Sequence, residues 1–187
     1  MKVNINACKK TAIDLSPLGF NMNGEFEYYY CTPKNAEIIA SSGVDGIHFS
    51  TVKQFGEIIF AVSPMNFGEC VHPVARSFED LLRLLLHCSD VAALEQCYAW
   101  DEEQYKAFLI DCPPTQKQQA VSDEIKSRCG LEPIVDSFAY VKELQAYAFF
   151  LSYMLCGAER TDLRGVERAA ARSVDAERAC RLAYDVE

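Results

Sequence analysis

No stretch of this chain approaches the ~18 to 20 consecutive apolar residues that a membrane-spanning helix requires. The longest apolar segment, 146–156, is shorter and is interrupted by Ser152 and Tyr153. The opening residues MKVNINACKKTAIDL alternate apolar and polar types and lack the apolar core of a secretory signal, so a cytoplasmic protein without a membrane partner is expected. Histidine is scarce: only His48, His72 and His87 occur. Close cysteine pairs are missing too. Nine cysteines are spaced nine or more residues apart, their number is odd and no CxxC occurs. That excludes the paired ligands usual in structural zinc sites and favours reduced thiols acting as small apolar residues. No GxGxxG, Walker-type, GxSxG, HExxH or EF-hand spacing is present, so no catalytic residue, metal site or cofactor is assigned.

What is abundant is negative charge. Lys and Arg number 18 against 27 Asp and Glu, a net charge of −9. Such a balance disfavours nucleic acid and anionic membranes and draws basic macromolecules.

Along the chain, Glu25 to Cys31 (EFEYYYC) follows an Asn23-Gly24 turn and predicts an aromatic strand. Thr32 fits a helix N-cap with Pro33 at the first helical position, which predicts a short helix carrying Ala36, Ile38, Ile39 and Ala40 and ending at Gly43. Ile47 to Val52 alternates as a strand, Lys53 to Gly56 makes a short connection, and Glu57 to Ser63 returns apolar on both faces, as a central strand does. Cys70 to Val74 predicts an edge strand, because Pro73 cannot donate to a ladder. Ser77 caps a helix whose buried stripe is Phe78, Leu81, Leu82 and Leu85, with Glu79, Arg83 and His87 on the wet stripe. His87, near that helix's C-terminus, suits a stabilising cation.

The second half predicts helices: one from Asp90, one opened by the Asp101–Gln104 capping box with Trp100 and Tyr105 as its staple, one opened by Thr115 and Gln118 and ended by Gly130, and one from near Asp136 bearing Phe138, Val141 and Leu144. Strands followed by helices define an α+β class, a mainly antiparallel sheet flanked by helices with a helical C-terminal half. Composition then shifts. Up to Ala146 there are nine Lys and three Arg, and from Tyr147 onward no Lys and six Arg. The expected organisation is an α+β domain with a helical extension over 1–146 and an Arg/Ala-rich helical or loosely ordered tail over 147–187. The same abrupt switch motivates the hypothesis that the tail is an out-of-frame product, which reading the other frames of the gene tests.

Candidate chemistry is thin. Cys70 and His72 lie two apart on a strand and so share a face, which would suit a small enzyme or a ligand-binding site. The Asp101 to Glu103 carboxylates have a local reason to sit at a helix N-terminus.

The segments GVDGIHFSTVKQFGEIIFAVSPMN and HPVARSFEDLLRLLL, with Glu132-Pro133-Ile134 and Tyr140 to Gln145 farther on, resemble the SUKH superfamily of bacterial toxin-immunity proteins and yeast cell-wall-assembly regulators. The likeness covers residues 25 to 145. It implies a non-enzymatic protein-binding module, most simply an immunity protein that neutralises a basic secreted toxin, nuclease or deaminase, as a monomer or weak dimer. A regulatory scaffold is the alternative. Residues 1 to 24 depart from the family pattern by lacking an amphipathic helix. The contact residues expected from charge and aromatic content are Glu25, Glu27, Glu57, Glu69, Trp100, Asp101, Glu102 and Glu103, with Tyr28 to Tyr30 as further anchors.

Overall fold

A computed structural model describes residues 13–66 and 69–155, with side chains to residue 147. Two units are distinguished, 1–145 and 146–187. The first is described below, and the tail beyond Leu155 lies outside the described residues.

The fold is α+β. Four strands, β1 (Ala36–Ser41), β2 (His48–Val52), β3 (Ile59–Val62) and β4 (Val71–Ala75), form an antiparallel sheet in that order. Five helices follow: α1 (Phe78–Cys88), α2 (Val91–Gln96), α3 (Glu102–Asp111), α4 (Gln116–Cys129) and α5 (Ser137–Leu155). The connection Lys53–Phe55 is a 3-10 turn.

Two expectations fail together. Residues 25–31 are not a strand, and the segment from Ala36 is β1, not a helix. Pro33 to Asn35 forms a turn, with Asn35 at φ 62° and the Ala36 N–H donating to the Pro33 carbonyl at 3.1 Å. Ile38, Ile39 and Ala40 are then all buried, with a bulge between Ile38 and Ala40. A short run of three apolar residues fits a sheet covered on both faces as well as a helix, and here sheet pairing decides. Thr32 caps no helix; its hydroxyl is used elsewhere.

Both faces of the sheet are indeed covered. Phe49, Ile59, Ala61 and Val74 face a core shared with α1 and α2, while Val52, Ile58 and Phe60 meet Tyr140 and Leu144 of α5. The all-buried β3 is central, and β4 is an edge. α1 forms because Leu81, Leu82, Leu84 and Leu85 repeat on one side, all fully buried. Ser77 starts it by accepting from the Asp80 N–H at 3.1 Å, and Ser89, at φ 59°, ends it with its N–H on the Leu85 carbonyl. Both predicted capping boxes, Asp101–Gln104 and Thr115–Gln118, are present.

A layer that patterning did not reveal comes from residues 13–20. Ile13, Leu15, Leu18 and Phe20 are buried, and the Phe20 ring lies 5.1 Å from Phe49 and 6.2 Å from Phe78. Only a short 3-10 turn, Ser16–Leu18, is regular here. Gly19 (φ 76°) lets this segment approach α2, because a Cβ there would come within 2.7 Å of Val91 Cγ2.

The wet stripe of α1 is also covered. Arg83 Nε donates to the Glu132 carbonyl at 3.1 Å, and His87 Nδ1 lies 2.8 Å from Ser137 Oγ. Burial lowers the His87 pKa, although Asp136 works the other way. His87 is therefore engaged with Ser137, and burial disfavours the helix-end cation that its position suggested. The Ser137 hydroxyl, itself buried, also meets Tyr105 Oη at 2.8 Å. With both neighbours on one hydroxyl, this Ser–His contact ties α1, α3 and α5 together.

Candidate functional site

The segment that fails to be a strand builds the most distinctive surface of the molecule. Its start is fixed by a bridge between Asn21 and Ser41, each N–H donating to the other's carbonyl at 2.9 Å. Its end is fixed by Thr32. The Thr32 N–H donates to the Tyr29 carbonyl at 3.0 Å, and Thr32 Oγ1 accepts the Tyr29 N–H at 2.9 Å. The same hydroxyl lies 3.1 Å from His48 Nε2, and His48 Nδ1 lies 2.9 Å from the Gly46 carbonyl.

A carbonyl can only accept, so Nδ1 carries a proton, and Nε2 shares the other hydrogen bond with the Thr32 hydroxyl. Burial lowers the pKa of this imidazole, although its hydrogen bond to the Gly46 carbonyl works the other way. The Tyr29 ring stacks on it with centroids 5.8 Å apart. Gly46 (φ 70°) is what leaves room: a Cβ there would lie 2.5 Å from the Tyr29 ring.

Anchoring Tyr29 turns its neighbours outward. Tyr28 and Tyr30 are 66% and 72% exposed, yet each hydroxyl is tied down. Tyr28 donates to the Ala36 carbonyl at 3.4 Å and Tyr30 to the Pro64 carbonyl at 2.8 Å. The exposed Glu25 and Glu27 join Phe26, Tyr29 and His48 around a cleft of about 260 Å³. Exposed Val44 also lines the cleft, and exposed Met65 lies in the turn that receives Tyr30.

That turn, Ser63 to Asn66, rests on a group that patterning did not single out. Glu95 of α2 is 2% exposed, and its Oε1 accepts from the Ser63 hydroxyl and from Asn66 Nδ2 at 3.4 Å. Its position could have been found, since Glu95 follows Val91 by four residues and shares the buried side of α2.

Cys70 and His72 have separate engagements. The Cys70 thiol donates to the Asn66 carbonyl at 2.9 Å. His72 Nε2 meets the Glu69 carbonyl, and its ring stacks on Tyr98 at 3.8 Å and 9°. Among the described residues no hydrogen bond joins the two side chains. The other expected contact residues scatter. Trp100 packs half-buried on Tyr105 and Phe108 at the edge of the core. Asp101 accepts the Gln104 N–H at 2.8 Å as the α3 cap, Glu102 pairs with Lys106, and Glu103 is exposed in the same first turn. Glu57 is exposed just after Gly56, and Glu69 is exposed beside Cys70. The structure thus gathers Glu25 and Glu27 with the tyrosines and leaves Trp100 to Glu103 on the helical half.

Among the described residues there is no cluster of His, Cys, Asp and Glu able to hold a metal ion, and no helix is long and apolar enough to cross a membrane. No protein-family model, curated protein or solved structure matches this chain.

All three imidazoles have lowered pKa values, with burial the leading cause. The folded state therefore binds a proton less readily than the unfolded chain, whose imidazoles titrate near 6.5. Their contribution is complete above about pH 6.5 and is lost as pH falls through that value toward the folded-state pKa. An NMR titration is expected to place each imidazole below the unperturbed value, and the urea midpoint to be lower at about pH 5.5 than at about pH 7.5. An imidazole that titrates above the ordinary value has no part in that acid loss.

Proposed function

We propose that this chain is a non-enzymatic protein-binding module of the toxin-immunity type, and that its contact face is the Glu25–Cys31 segment with the Ser63–Asn66 turn. The observation that carries this reading is the pair of outward tyrosines whose hydroxyls are already bonded to the backbone. Tyrosine offers a large amphipathic contact area, and a ring fixed in advance loses little conformational entropy on docking. The neighbouring carboxylates of Glu25, Glu27 and Glu69 suit a basic partner, chiefly by speeding encounter and excluding acidic competitors. The resemblance of residues 25 to 145 to the SUKH superfamily points the same way and suggests a secreted toxin, nuclease or deaminase, as that partner.

The test is calorimetric titration of the product of the adjacent gene into the full chain at low and at high salt. Tight binding by the wild-type chain is expected, with each of Tyr28→Ala and Tyr30→Ala weakening it about 30-fold, the scale of an interface hot spot. Higher salt is expected to weaken binding by screening the charge complementarity. Binding unchanged by both substitutions and by salt would remove this face from the account, and no binding at all would remove the immunity role.

A further inference from the structure

The Asn23-Gly24 turn that opens the aromatic segment carries a chemistry of its own. The backbone nitrogen after an asparagine attacks that asparagine's side-chain amide when the nitrogen is unbound and nothing crowds the closing ring. Both residues are exposed and lie in a bend. Among the described residues, neither the Asn23 side-chain amide nor the Gly24 N–H has a hydrogen-bond partner. Only the Asn23 N–H is engaged, donating to Asn21 Oδ1 at 3.0 Å. Gly24 (φ 122°) brings no Cβ, and the space where one would lie is open for 4 Å.

The other described asparagines are each held. Asn21 exchanges two backbone hydrogen bonds with Ser41 at 2.9 Å, and its side-chain oxygen takes the Asn23 N–H. Ala36, which follows Asn35, has its N–H on the Pro33 carbonyl at 3.1 Å. Asn66 gives its side-chain amide to the buried Glu95. Attack at any of these requires local opening first. At Asn23 nothing has to open.

We propose that Asn23 is a self-modification site, at which the amide is lost and an aspartate or isoaspartate takes its place. The Gly24 nitrogen gives up its proton to solvent base and attacks Asn23 Cγ. A bond forms between them, the bond from Cγ to the amide nitrogen breaks, and that nitrogen takes up a proton and leaves as ammonia. Water then opens the resulting succinimide. Cleavage at the side-chain carbonyl gives aspartate, and cleavage at the main-chain carbonyl gives isoaspartate. One water enters and one ammonia leaves, with no change of oxidation state. Either product places one further negative charge beside Glu25 and Glu27. Isoaspartate also lengthens the backbone between the Asn21–Ser41 bridge and the aromatic segment. The modification stands independently of the binding role. Its consequence, a faster encounter of the aspartate form with a basic partner, rests on that role.

The experiment ages the full-length protein at physiological temperature, at neutral and at mildly alkaline pH, folded and in urea. Peptide mass mapping with isoaspartate-specific enzymatic methylation then reads each asparagine. Asn23 is expected to convert about as fast in the folded protein as in urea, and faster at the higher pH. In the folded protein it should outpace Asn21, Asn35 and Asn66 by about tenfold or more, since each of those carries the cost of local opening. Asn23→Gln, which would have to close a larger ring, is expected to lose the change at that position. An Asn23 that keeps its amide in the folded protein while losing it in urea would mean that the turn shields it, and would overturn the proposal. Conversion led by another described asparagine would overturn it as well. No partner enters this measurement. An inert Asn23 therefore refutes the modification alone, and a missing partner refutes the binding role alone.

Discussion

Replacing Phe20 by alanine is expected to lower the unfolding free energy by about 3 to 5 kcal/mol, the range for deleting a fully buried aromatic ring. The ring has no exposed surface and lies against Phe49 of β2 and Phe78 of α1, so its loss opens a cavity where the sheet, the first helix and the N-terminal segment meet. Tilted aromatic pairs of this kind add to simple burial. Neighbouring Leu15 and Leu18, both fully buried, are held by the same short turn and cannot easily move into the space. Since whole domains are stable by only about 5 to 15 kcal/mol, the variant should be marginal at room temperature. Urea unfolding checks this, with Tyr28→Ala as a surface control expected to change stability by about 0.5 kcal/mol or less. A loss below about 1 kcal/mol for Phe20→Ala would show that residues 13–20 lie outside the cooperative core.

Where local physics dominates, the sequence was legible. The Ser77 cap, the two capping boxes, the Gly130 terminus and the leucine stripe of α1 depend on residues three or four apart, and each is where patterning put it. β2 and β3 were legible because alternation in one, and continuous burial in the other, leave few alternatives. Residues 25–41 fold differently from their local pattern because both of its signals have second uses. Thr32-Pro33 looks like a helix start, but the threonine hydroxyl serves His48 and Tyr29 instead. The aromatic run looks like a strand, but its hydroxyls bond carbonyls of other segments, an arrangement set by contacts distant in sequence. The N-terminal layer escaped because an irregular segment has no period to detect.

The candidate face was half legible. Glu25, Glu27 and the tyrosines stood out by composition. The Ser63–Asn66 turn and Glu95 beneath it did not, because their pairing needs the sheet and α2 to be in place first.

Glu95 also supplies the second large effect. Its carboxylate is almost wholly buried; Oε1 takes the hydrogens of Ser63 and Asn66, while Oε2 has no partner among the described residues. Glu95→Ala removes two hydrogen bonds to a charged acceptor, each of order 1.5 to 3 kcal/mol, and leaves the Ser63 hydroxyl facing a void. Relief from burying a carboxylate with one bare oxygen offsets part of that loss. A net destabilisation of about 2 to 3 kcal/mol is expected. Glu95→Gln keeps one oxygen toward Ser63 and places its amide where Oε2 now lies, so a smaller loss of about 1 kcal/mol is expected.

The effect should also reach the surface, because the turn that Glu95 holds presents the Pro64 carbonyl to Tyr30 and the Asn66 carbonyl to Cys70. Urea unfolding gives the ranking, and the NMR ring signals of Tyr30 report the surface. Both should move farther in the alanine variant than in the glutamine one. An alanine variant as stable as wild type would mean that burying the carboxylate costs as much as its two bonds contribute. Unmoved Tyr30 signals would mean that the turn holds its shape without support from α2.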